Sequence, residues 1–363
     1  MNELFRMAVS PIENGVETQY TEIIVKPGCL SEVPEILRKP LRRYAIITDS
    51  IVARLYGYRL QQCFRKISLD AELLEFHEGE QRKSLDTVDN LVNQLGEYGY
   101  GKKDSTIIAL GGGVVGDVAG LVARGYMRGI HYVQVPTTLL AQVDSSLGGK
   151  TAVNTSHGKN LFGVFYHPTM DLVDPETTLT LPERVYRSSL AEVVKYGAID
   201  PHFRRELEIH LDSLLRKDIE LVSRFVLESL IIKAFYIDKD PFDEGVRQIL
   251  NFGHTIGHAV EFASDYNLTH GEAVAIGMNI EGRLAVANGN WTDREFDSLI
   301  NLLKRVGLPQ NIPDYLDRKK ILEAVTQDKK REDDSIKFVI PSQSNPLAPV
   351  QIKMKKDDVR ALI

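Results

Sequence analysis

Short apolar runs that alternate with helix-length segments constrain the fold of this chain most strongly. Residues 43–50 form such a run and end in polar side chains, and similar runs occupy residues 105–110 and 131–135. Helix-length segments, such as residues 85–98, lie between them. Strands that alternate with helices form a parallel sheet covered on both faces, whose ligands bind at the carboxyl ends of the strands. The sequence therefore predicts an α/β, Rossmann-like N-terminal domain.

The second half of the chain has a different pattern of apolar residues. Helical periods dominate residues 183–195, 203–215, 219–237, 247–263 and 271–288. We therefore expect a Rossmann-like domain at residues 1–180 and a mainly α-helical domain at residues 181–363. No Gly/Ser-rich linker separates the halves, so we expect the active site in the cleft between them.

Composition excludes several classes of function. The 363 residues are 43% hydrophobic and 26% charged, as in a soluble globular protein. A net charge of −6 argues against nucleic acid as the main partner. No apolar stretch is long enough for a membrane span, and the N-terminus does not resemble a signal peptide. With Cys29 and Cys63 as the two cysteines, we expect free thiols and a cytoplasmic protein.

A glycine-rich loop follows the apolar run at residues 105–110. Gly111, Gly113 and Gly116 match the pattern G-x-G-x-x-G, which lets backbone N–H groups approach a pyrophosphate. The acidic residue usual about 20 positions later is absent, but Asp49 ends an earlier strand and could bind the ribose. A tight strand-to-helix turn without a ligand is the alternative.

Two histidines four residues apart predict a metal site. His254 and His258 share one helix face, and His270 begins the next predicted helix. Three imidazoles could bind the ion, or Glu192, beside Lys195 in an apolar helix, could supply a carboxylate. Ligands of this kind without thiolates suit zinc or a related divalent ion. The alternative is that these histidines are ordinary core or surface residues.

Cationic residues recur in segments that we expect to face the cleft. Taken singly, each could be a solvated surface charge, but as a set they fit a substrate with a phosphate and a carboxylate. They are Lys150, Lys159, Lys195, Lys233, Arg247, Lys329 and Lys330.

Together these motifs resemble the sugar phosphate cyclase family, and within it the 3-dehydroquinate synthases. The resemblance runs from about residue 80 to residue 278. Its most specific stretches are residues 111–120, 135–160, 190–197, 250–261 and 270–278. It implies bound NAD, a divalent metal (Zn²⁺ or Co²⁺), and a homodimer. It further implies a carbon–oxygen lyase of the shikimate pathway of aromatic amino acid biosynthesis, which converts 3-deoxy-D-arabino-heptulosonate 7-phosphate into 3-dehydroquinate and phosphate.

The resemblance also implies roles for individual residues. Glu192, His254 and His270 become the metal ligands, and His258 becomes a neighbouring or proton-handling residue. With Asp49 from the reasoning above, the residues expected to contact NAD are Asp49, Glu78, Glu80, Lys83, Gly112, Gly113, Val114, Asp117, Thr137, Thr138, Lys150, Lys159, Thr177 and Thr180.

The substrate is expected to meet a third set of residues. Lys233 and Arg247 should bind its carboxylate, while Asp144 and Lys195 should bind its ring hydroxyls. The residues expected at its phosphate are Lys150, Asn160, Asn251, one of Lys329 and Lys330, and Arg128, which in the family can reach across the dimer interface.

The sequence departs from the family pattern at Asp243 and in the tail at residues 329–341, which lacks the usual glycine before its strand, and other substrates remain open. Asp243 stands where the family generally has Glu, unless Glu244 takes over. A relative in secondary metabolism could cyclise sedoheptulose 7-phosphate, glucose 6-phosphate or an amino analogue. A metal-dependent alcohol dehydrogenase resembling glycerol dehydrogenase and a non-enzymatic binding module are further alternatives. The pair Lys233 and Arg247 favours a substrate with a carboxylate.

Overall fold

A seven-stranded sheet dominates the first half of the chain. The computed structural model describes residues 3–8, 20–38, 42–327, 335–342 and 348–363. Its strands are β1 (Glu3–Ala8), β2 (Tyr20–Val25), β3 (Arg43–Asp49), β4 (Ala71–Phe76), β5 (Ser105–Gly111), β6 (His131–Pro136), β7 (Lys150–Thr155), β8 (Gly158–Phe165), β9 (Met170–Val173), β10 (Ser335–Ile340) and β11 (Val350–Lys355). The main sheet has the order β1-β2-β9-β6-β5-β3-β4. Its six strands from β2 to β4 run parallel, which confirms the predicted sheet, and β1 adds an antiparallel edge.

Helices connect these strands and make up most of the remaining structure. The α-helices are α1 (Val33–Ile36), α2 (Ser50–Val52), α3 (Tyr58–Lys66), α4 (Leu85–Glu97), α5 (Gly113–Gly125), α6 (Glu183–Ile199), α7 (Pro201–Leu215), α8 (Ile219–Lys239), α9 (His254–Ala263), α10 (His270–Ala287), α11 (Asp293–Val306), α12 (Arg318–Gln327) and α13 (Lys356–Leu362). Short 3₁₀ or π segments are Cys29–Glu32, Ala53–Gly57, Glu80–Arg82, Tyr126–Arg128, Ala141–Ser145, Pro175–Thr180 and Val246–Asn251. Among the described residues, no helix is both long and apolar enough to cross a bilayer.

Alternate residues of the central strands enter two separate hydrophobic cores. Successive side chains of a strand point to opposite faces of the sheet. Ala45 and Ile47 of β3 therefore pack with residues of α4 and α5 on one face. Tyr44 and Ile46 pack with residues of α1 and α3 on the other. The near-continuous apolar runs in the sequence follow from this burial on both faces.

The order of the strands creates a topological switch between β3 and β5. The chain leaves β3 towards β4 on one side, whereas it leaves β5 towards β6 on the other. In open α/β sheets ligands bind outside the carboxyl ends of the strands at such a point. Asp49 ends β3 there, and Gly111 ends β5.

The chain divides into two compact units, and the division corrects one prediction. The first unit is Met1–Thr180 with Val222–Phe242, and the second is Leu181–Leu221 with Asp243–Ile363. We predicted that residues 181–363 form one domain, but Val222–Phe242 groups with the first unit. The contacts of this segment explain the grouping, since Lys233 binds Asp144 and Phe242 packs edge-on against Phe165.

The second unit is mainly helical, with the hairpin β10–β11 added. Its helices α9 and α10 pack closely because glycines remove side chains from their contact. A Cβ at Gly277 would overlap the carbonyl oxygen of Gly253, and one at Gly257 would lie 3.0 Å from Cα of Val274. The predicted continuous helix at residues 247–263 is wrong in one respect. Gly253 adopts φ +80°, so the 3₁₀ segment Val246–Asn251 ends before it and α9 begins afresh at His254.

Candidate active site

The glycine loop lies at the switch of the sheet. Gly112 is the N-cap of α5, which begins at Gly113. The N–H of Gly116 donates to the carbonyl oxygen of Gly112 at 3.0 Å. The N–H groups of residues 113–115, including that of Val114, lie in the first turn of α5, before this hydrogen bond. Such groups, with the helix dipole, can bind a pyrophosphate.

Close packing also requires glycine within α5. A Cβ at Gly116 would lie 2.9 Å from both side-chain amide atoms of Gln134, and one at Gly120 would overlap the methyl group of Thr151. These contacts need no ligand, so they equally fit the alternative of a tight strand-to-helix turn. Side chains near the loop must therefore carry the argument for a cofactor.

Several residues predicted to contact NAD make structural hydrogen bonds. Asp49 Oδ1 accepts from the N–H groups of Ile51 and Val52, each at 2.9 Å, and so caps α2. Burial raises the pKa of Asp49 although these bonds lower it. Glu78, an exposed residue, accepts a hydrogen bond from the hydroxyl of Ser50.

The predicted threonines follow two neighbouring strands. The N–H of Thr137 donates to the carbonyl oxygen of Gly111 at 2.9 Å, and Thr138 Oγ1 accepts from the N–H of Ala141 at 3.2 Å. The hydroxyl of Thr177 donates to the carbonyl oxygen of Asp174 at 2.8 Å. Thr180 Oγ1 lies 2.6 Å from the hydroxyl of Tyr56. Tyr56 was not predicted, because a tyrosine near a strand end carries no motif.

A polar cluster joins the loop after β4 to α5 and to the hairpin β7–β8. The ammonium group of buried Lys83 lies 2.5 Å from Asp117 Oδ2 and donates to Asn160 Oδ1. Glu80 lies 3.4 Å from Lys159. Burial raises the pKa of Asp117 to about 6, although the charge of Lys83 lowers it. Residues expected at NAD and at the phosphate, including Asn160 with φ +55°, thus belong to one cluster.

Asp144 and Lys233 form a second polar contact in the first unit. Lys233 Nζ lies 2.7 Å from Asp144 Oδ1 and 2.6 Å from its main-chain carbonyl oxygen. Lys233 is buried, whereas Lys150, at the start of β7, is exposed. An ammonium group paired with a carboxylate in this way can donate a hydrogen bond to a polar ligand while the carboxylate balances its charge.

Three side chains of the second unit converge as a metal site would require. Glu192 comes from α6, His254 from the first residue of α9 and His270 from the first residue of α10. Their candidate ligand atoms all lie within 4.8 Å of one another. Glu192 Oε1 lies 3.4 Å from Nε2 of His254 and 3.2 Å from Nε2 of His270.

This arrangement fits a divalent ion. Ligand atoms about 2.0–2.2 Å from a tetrahedral zinc lie roughly 3.3–3.5 Å apart, close to the two observed separations. One carboxylate and two imidazoles, without a thiolate, are a donor set that zinc accepts, and three protein ligands leave a position for substrate oxygens. Exposed His258 lies outside the set, with its ring centroid 5.2 Å from that of His254.

Charges around Glu192 keep it ionised. Glu192 is 0% exposed, and Lys195, one turn further along α6, forms an ion pair with it. Burial alone would raise the pKa of Glu192, but the charges of Lys195 and His254 lower it well below the usual value. For His270, burial lowers the pKa, yet hydrogen bonds with Glu192 and Glu261 raise it to about 9. The cluster therefore attracts positive charge.

The remaining predicted residues are distributed more widely. Arg247 is buried in the 3₁₀ segment Val246–Asn251, and the amide of Asn251 donates to Asp243 Oδ2 at 3.4 Å. Arg128 is exposed and adopts φ +63°. Lys329 and Lys330 lie outside the described residues.

Among the buried carboxylates of the described residues, prediction from sequence missed Glu261, Glu281, Asp171 and Asp174. Glu261 Oε2 lies 3.6 Å from Nδ1 of His270. Glu281 accepts hydrogen bonds from the N–H groups of Gly253 and Ile256, at the start of α9. Asp171 accepts from the hydroxyl of Ser146. An acidic residue in an apolar helix or strand was the available signal, and we applied it to Glu192 alone.

Comparisons with known proteins identify the family of this chain. The family model of the 3-dehydroquinate synthase N-terminal domain matches residues 73–188, and that of the C-terminal domain matches residues 189–331. The chain belongs to the 3-dehydroquinate synthase family. The 3-dehydroquinate synthase of Pelotomaculum thermopropionicum is 44% identical over 325 residues, which cover 88% of this chain and 87% of that protein. The family resemblance, the fold class and the prediction of a carbon–oxygen lyase are thereby confirmed.

Two solved structures of related cyclases are similar over nearly the whole chain. A 2-deoxy-scyllo-inosose synthase, in complex with carbaglucose-6-phosphate, NAD⁺ and Co²⁺, is 27% identical with a TM-score of 0.89, and 99% of each chain is covered. The 2-epi-5-epi-valiolone synthase of Streptomyces hygroscopicus subsp. jinggangensis, with NAD⁺ and Zn²⁺ bound, is 27% identical with a TM-score of 0.83. That comparison covers 98% of this chain and 97% of the other. Both of these solved structures contain NAD⁺ and a divalent metal ion.

Proposed function

We propose that this enzyme converts 3-deoxy-D-arabino-heptulosonate 7-phosphate into 3-dehydroquinate and inorganic phosphate, with bound NAD and one divalent metal ion. The observation that carries the proposal is the convergence of Glu192, His254 and His270 in a chain that matches this family over residues 73–331. NAD⁺ with Co²⁺ or Zn²⁺ in two related cyclases supports both cofactors. We also propose that the protein is a cytoplasmic homodimer, in which Arg128 reaches across the interface to the substrate phosphate.

The bound groups would supply two kinds of chemistry, namely hydride acceptance and return by NAD and polarisation of a substrate hydroxyl by the metal ion. Glu192, His254 and His270 would hold the metal. The N–H groups at the start of α5 would bind the pyrophosphate of NAD, and the cluster of Lys83 and Asp117 would lie beside the rest of the cofactor.

The substrate residues would orient the sugar acid. Once one hydroxyl has become a ketone, the neighbouring C–H is acidic and the phosphate can leave, so the protein mainly positions groups and stabilises charge. Lys150, Asn160 and Asn251 would hold the phosphate, which could itself take the proton. Asp144, fixed by Lys233, would accept a hydrogen bond from a ring hydroxyl.

Two buried cations favour a substrate with a carboxylate. Lys233 and Arg247 are 6% and 2% exposed, and an ammonium and a guanidinium group can each bind a carboxylate. A sugar phosphate without a carboxylate, such as sedoheptulose 7-phosphate, would offer these two residues no carboxylate to bind. An alcohol dehydrogenase reaction involves no leaving phosphate and would not use the predicted phosphate residues.

Turnover with very little NAD tests the proposed reaction class. The metal-loaded enzyme is mixed with 3-deoxy-D-arabino-heptulosonate 7-phosphate and with NAD far below the substrate concentration, and phosphate and NADH are followed together. Because the hydride is returned, we expect all the substrate to release phosphate without net NADH. Phosphate release that stops when NAD is exhausted, or NADH that accumulates with turnover, would contradict the proposal.

A further inference from the structure

The imidazole of His270 lies between two carboxylates, one at each nitrogen. Its Nε2 lies 3.2 Å from Glu192 Oε1, in the proposed metal site, and its Nδ1 lies 3.6 Å from Glu261 Oε2. Glu261 is neither one of the proposed metal ligands nor a residue with a role in the proposed mechanism. Its position on the far side of the ring therefore needs its own explanation.

Glu261 is a buried acid on the helix that supplies another ligand. It lies on α9, two turns after His254, and is 7% exposed. A buried carboxylate costs several kcal/mol of folding free energy unless a positive charge or hydrogen-bond donors compensate it. Contact with Nδ1 of His270 supplies such a partner, and it ties α9 to the start of α10.

His254 shows the same arrangement with a different acceptor. Its Nδ1 lies 3.1 Å from the main-chain oxygen of Phe252, while its Nε2 lies 3.4 Å from Glu192 Oε1. Both histidines thus turn Nε2 towards the same carboxylate oxygen and have an oxygen atom within 3.6 Å of Nδ1. An acceptor at Nδ1 holds the proton there and leaves Nε2 free to bind a metal.

We propose that Glu261 is a positioning residue of the metal site: its carboxylate, 3.6 Å from Nδ1 of His270, holds the ring proton on that nitrogen and thereby fixes the tautomer and the orientation of that ligand. Its negative charge also strengthens Nε2 as a donor. This inference rests on the proposed function, because it deepens the role of the same site. Glu261 itself is not one of the ligands, since it contacts the ring on the side away from Glu192.

Metal affinity, measured apart from turnover, tests this role. Co²⁺ binding to the unmodified protein, Glu261→Gln and Glu261→Ala is measured by competition with a chelator, and the visible absorption of bound Co²⁺ is recorded. We expect Glu261→Gln to bind Co²⁺ about 10–100-fold more weakly, as is typical when the partner of a ligating histidine is lost. Glu261→Ala should bind more weakly still, because it also lacks the neutral acceptor that Gln retains.

A matched control separates this effect from the loss of any Glu–His pair. Glu206 lies 3.8 Å from His210 on α7, outside the cluster, so Glu206→Gln should leave Co²⁺ affinity and absorption unchanged. NAD affinity should be unchanged in all variants. Unaltered Co²⁺ affinity and absorption in both Glu261 variants would overturn the positioning role while leaving the metal site intact. Failure of the unmodified protein to bind Co²⁺ would overturn the metal site, and this inference with it.

Discussion

Lys233 binds Asp144 through two different oxygens. Its Nζ lies 2.7 Å from the side-chain Oδ1 and 2.6 Å from the main-chain carbonyl oxygen. Asp144 belongs to the π-helical segment Ala141–Ser145, whose irregular backbone this lysine helps to fix. One buried ammonium group therefore orients both the backbone and the carboxylate at a residue that we assign to the substrate.

Replacing Lys233 by Met should impair catalysis strongly. The change leaves the carboxylate of Asp144 without this partner and removes a cation from the proposed substrate site. Loss of one member of a buried charge pair costs about 2–5 kcal/mol, so kcat/KM should fall by roughly 30-fold or more. Steady-state phosphate release measures the effect, with NAD affinity expected to stay the same. Lys239→Met on the same helix is the control, because Lys239 is exposed and lies 3.9 Å from Asp238. Equal kinetics for the two variants would remove Lys233 from the site.

Asp171 should make the stability of the protein depend on pH. It is 0% exposed, its Oδ2 accepts from Ser146 at 2.6 Å, and its Oδ1 has no hydrogen-bond partner among the described residues. Burial raises its pKa to about 7, although Ser146 and Lys233 lower it. Between the unfolded pKa of 3.8 and this value, the folded state holds a proton that the unfolded state has lost. Its contribution to stability is therefore largest at low pH and falls as pH rises to about 7, by on the order of 4 kcal/mol.

Asp171→Asn isolates this contribution, because an amide resembles the protonated acid at every pH. Relative to the unmodified protein, the variant should gain stability steadily as pH rises from about 4 to 7, and the difference should then level off. Urea unfolding of both proteins across this range gives the difference. A difference that does not change with pH would mean that Asp171 is ionised in the folded protein throughout the range.

Much of the fold follows from patterns that depend on neighbours in sequence. The runs at β3, β5 and β6 are apolar because both faces of a parallel sheet are covered, so the sheet could be predicted. The break before α9 could not, because it depends on the positive φ of Gly253, and nothing in the local sequence demands that φ. The grouping of Val222–Phe242 with the first unit was also missed, since an apolar helix face does not specify which surface covers it.

The candidate site shows the same limit. The spacing of His254 and His258 indicated a metal, but it could not decide between His258 and Glu192 as a ligand. That choice depends on where α6 lies beside α9 and α10. Glu261 and Glu281 read as ordinary helical acids, and they become informative only when α9 and α10 are packed together.

Gly277→Ala should destabilise the second unit. The added Cβ would overlap the carbonyl oxygen of Gly253, where backbone rather than a flexible side chain must move. We expect a loss of about 3 kcal/mol in the free energy of unfolding, with weaker metal binding, since α9 and α10 carry both histidines. Gly96→Ala in α4 is the control: its Cβ would meet no atom within 4 Å, and it should gain about 0.5–1 kcal/mol. If urea unfolding gave Gly277→Ala the same stability as the unmodified protein, α9 and α10 would be able to separate at this contact without cost.

His254→Ala should remove metal and activity together. Two remaining ligands should hold a divalent ion far less tightly than three, so we expect little bound Zn²⁺ after dialysis and almost no phosphate release. Metal content is measured by atomic spectroscopy. His210→Ala, which removes a histidine on α7 that is paired with Glu206, should retain both metal and activity. Full metal occupancy in His254→Ala would exclude His254 as a ligand.

Phosphate release from two competing substrates, with the carbocyclic product identified, tests the central claim most directly. 3-deoxy-D-arabino-heptulosonate 7-phosphate carries the carboxylate that we assign to Lys233 and Arg247, whereas sedoheptulose 7-phosphate does not. We predict rapid release from the former, with 3-dehydroquinate formed in equal amount, and little or no release from the latter. Equal turnover of both substrates, or cyclisation of sedoheptulose 7-phosphate alone, would contradict this account.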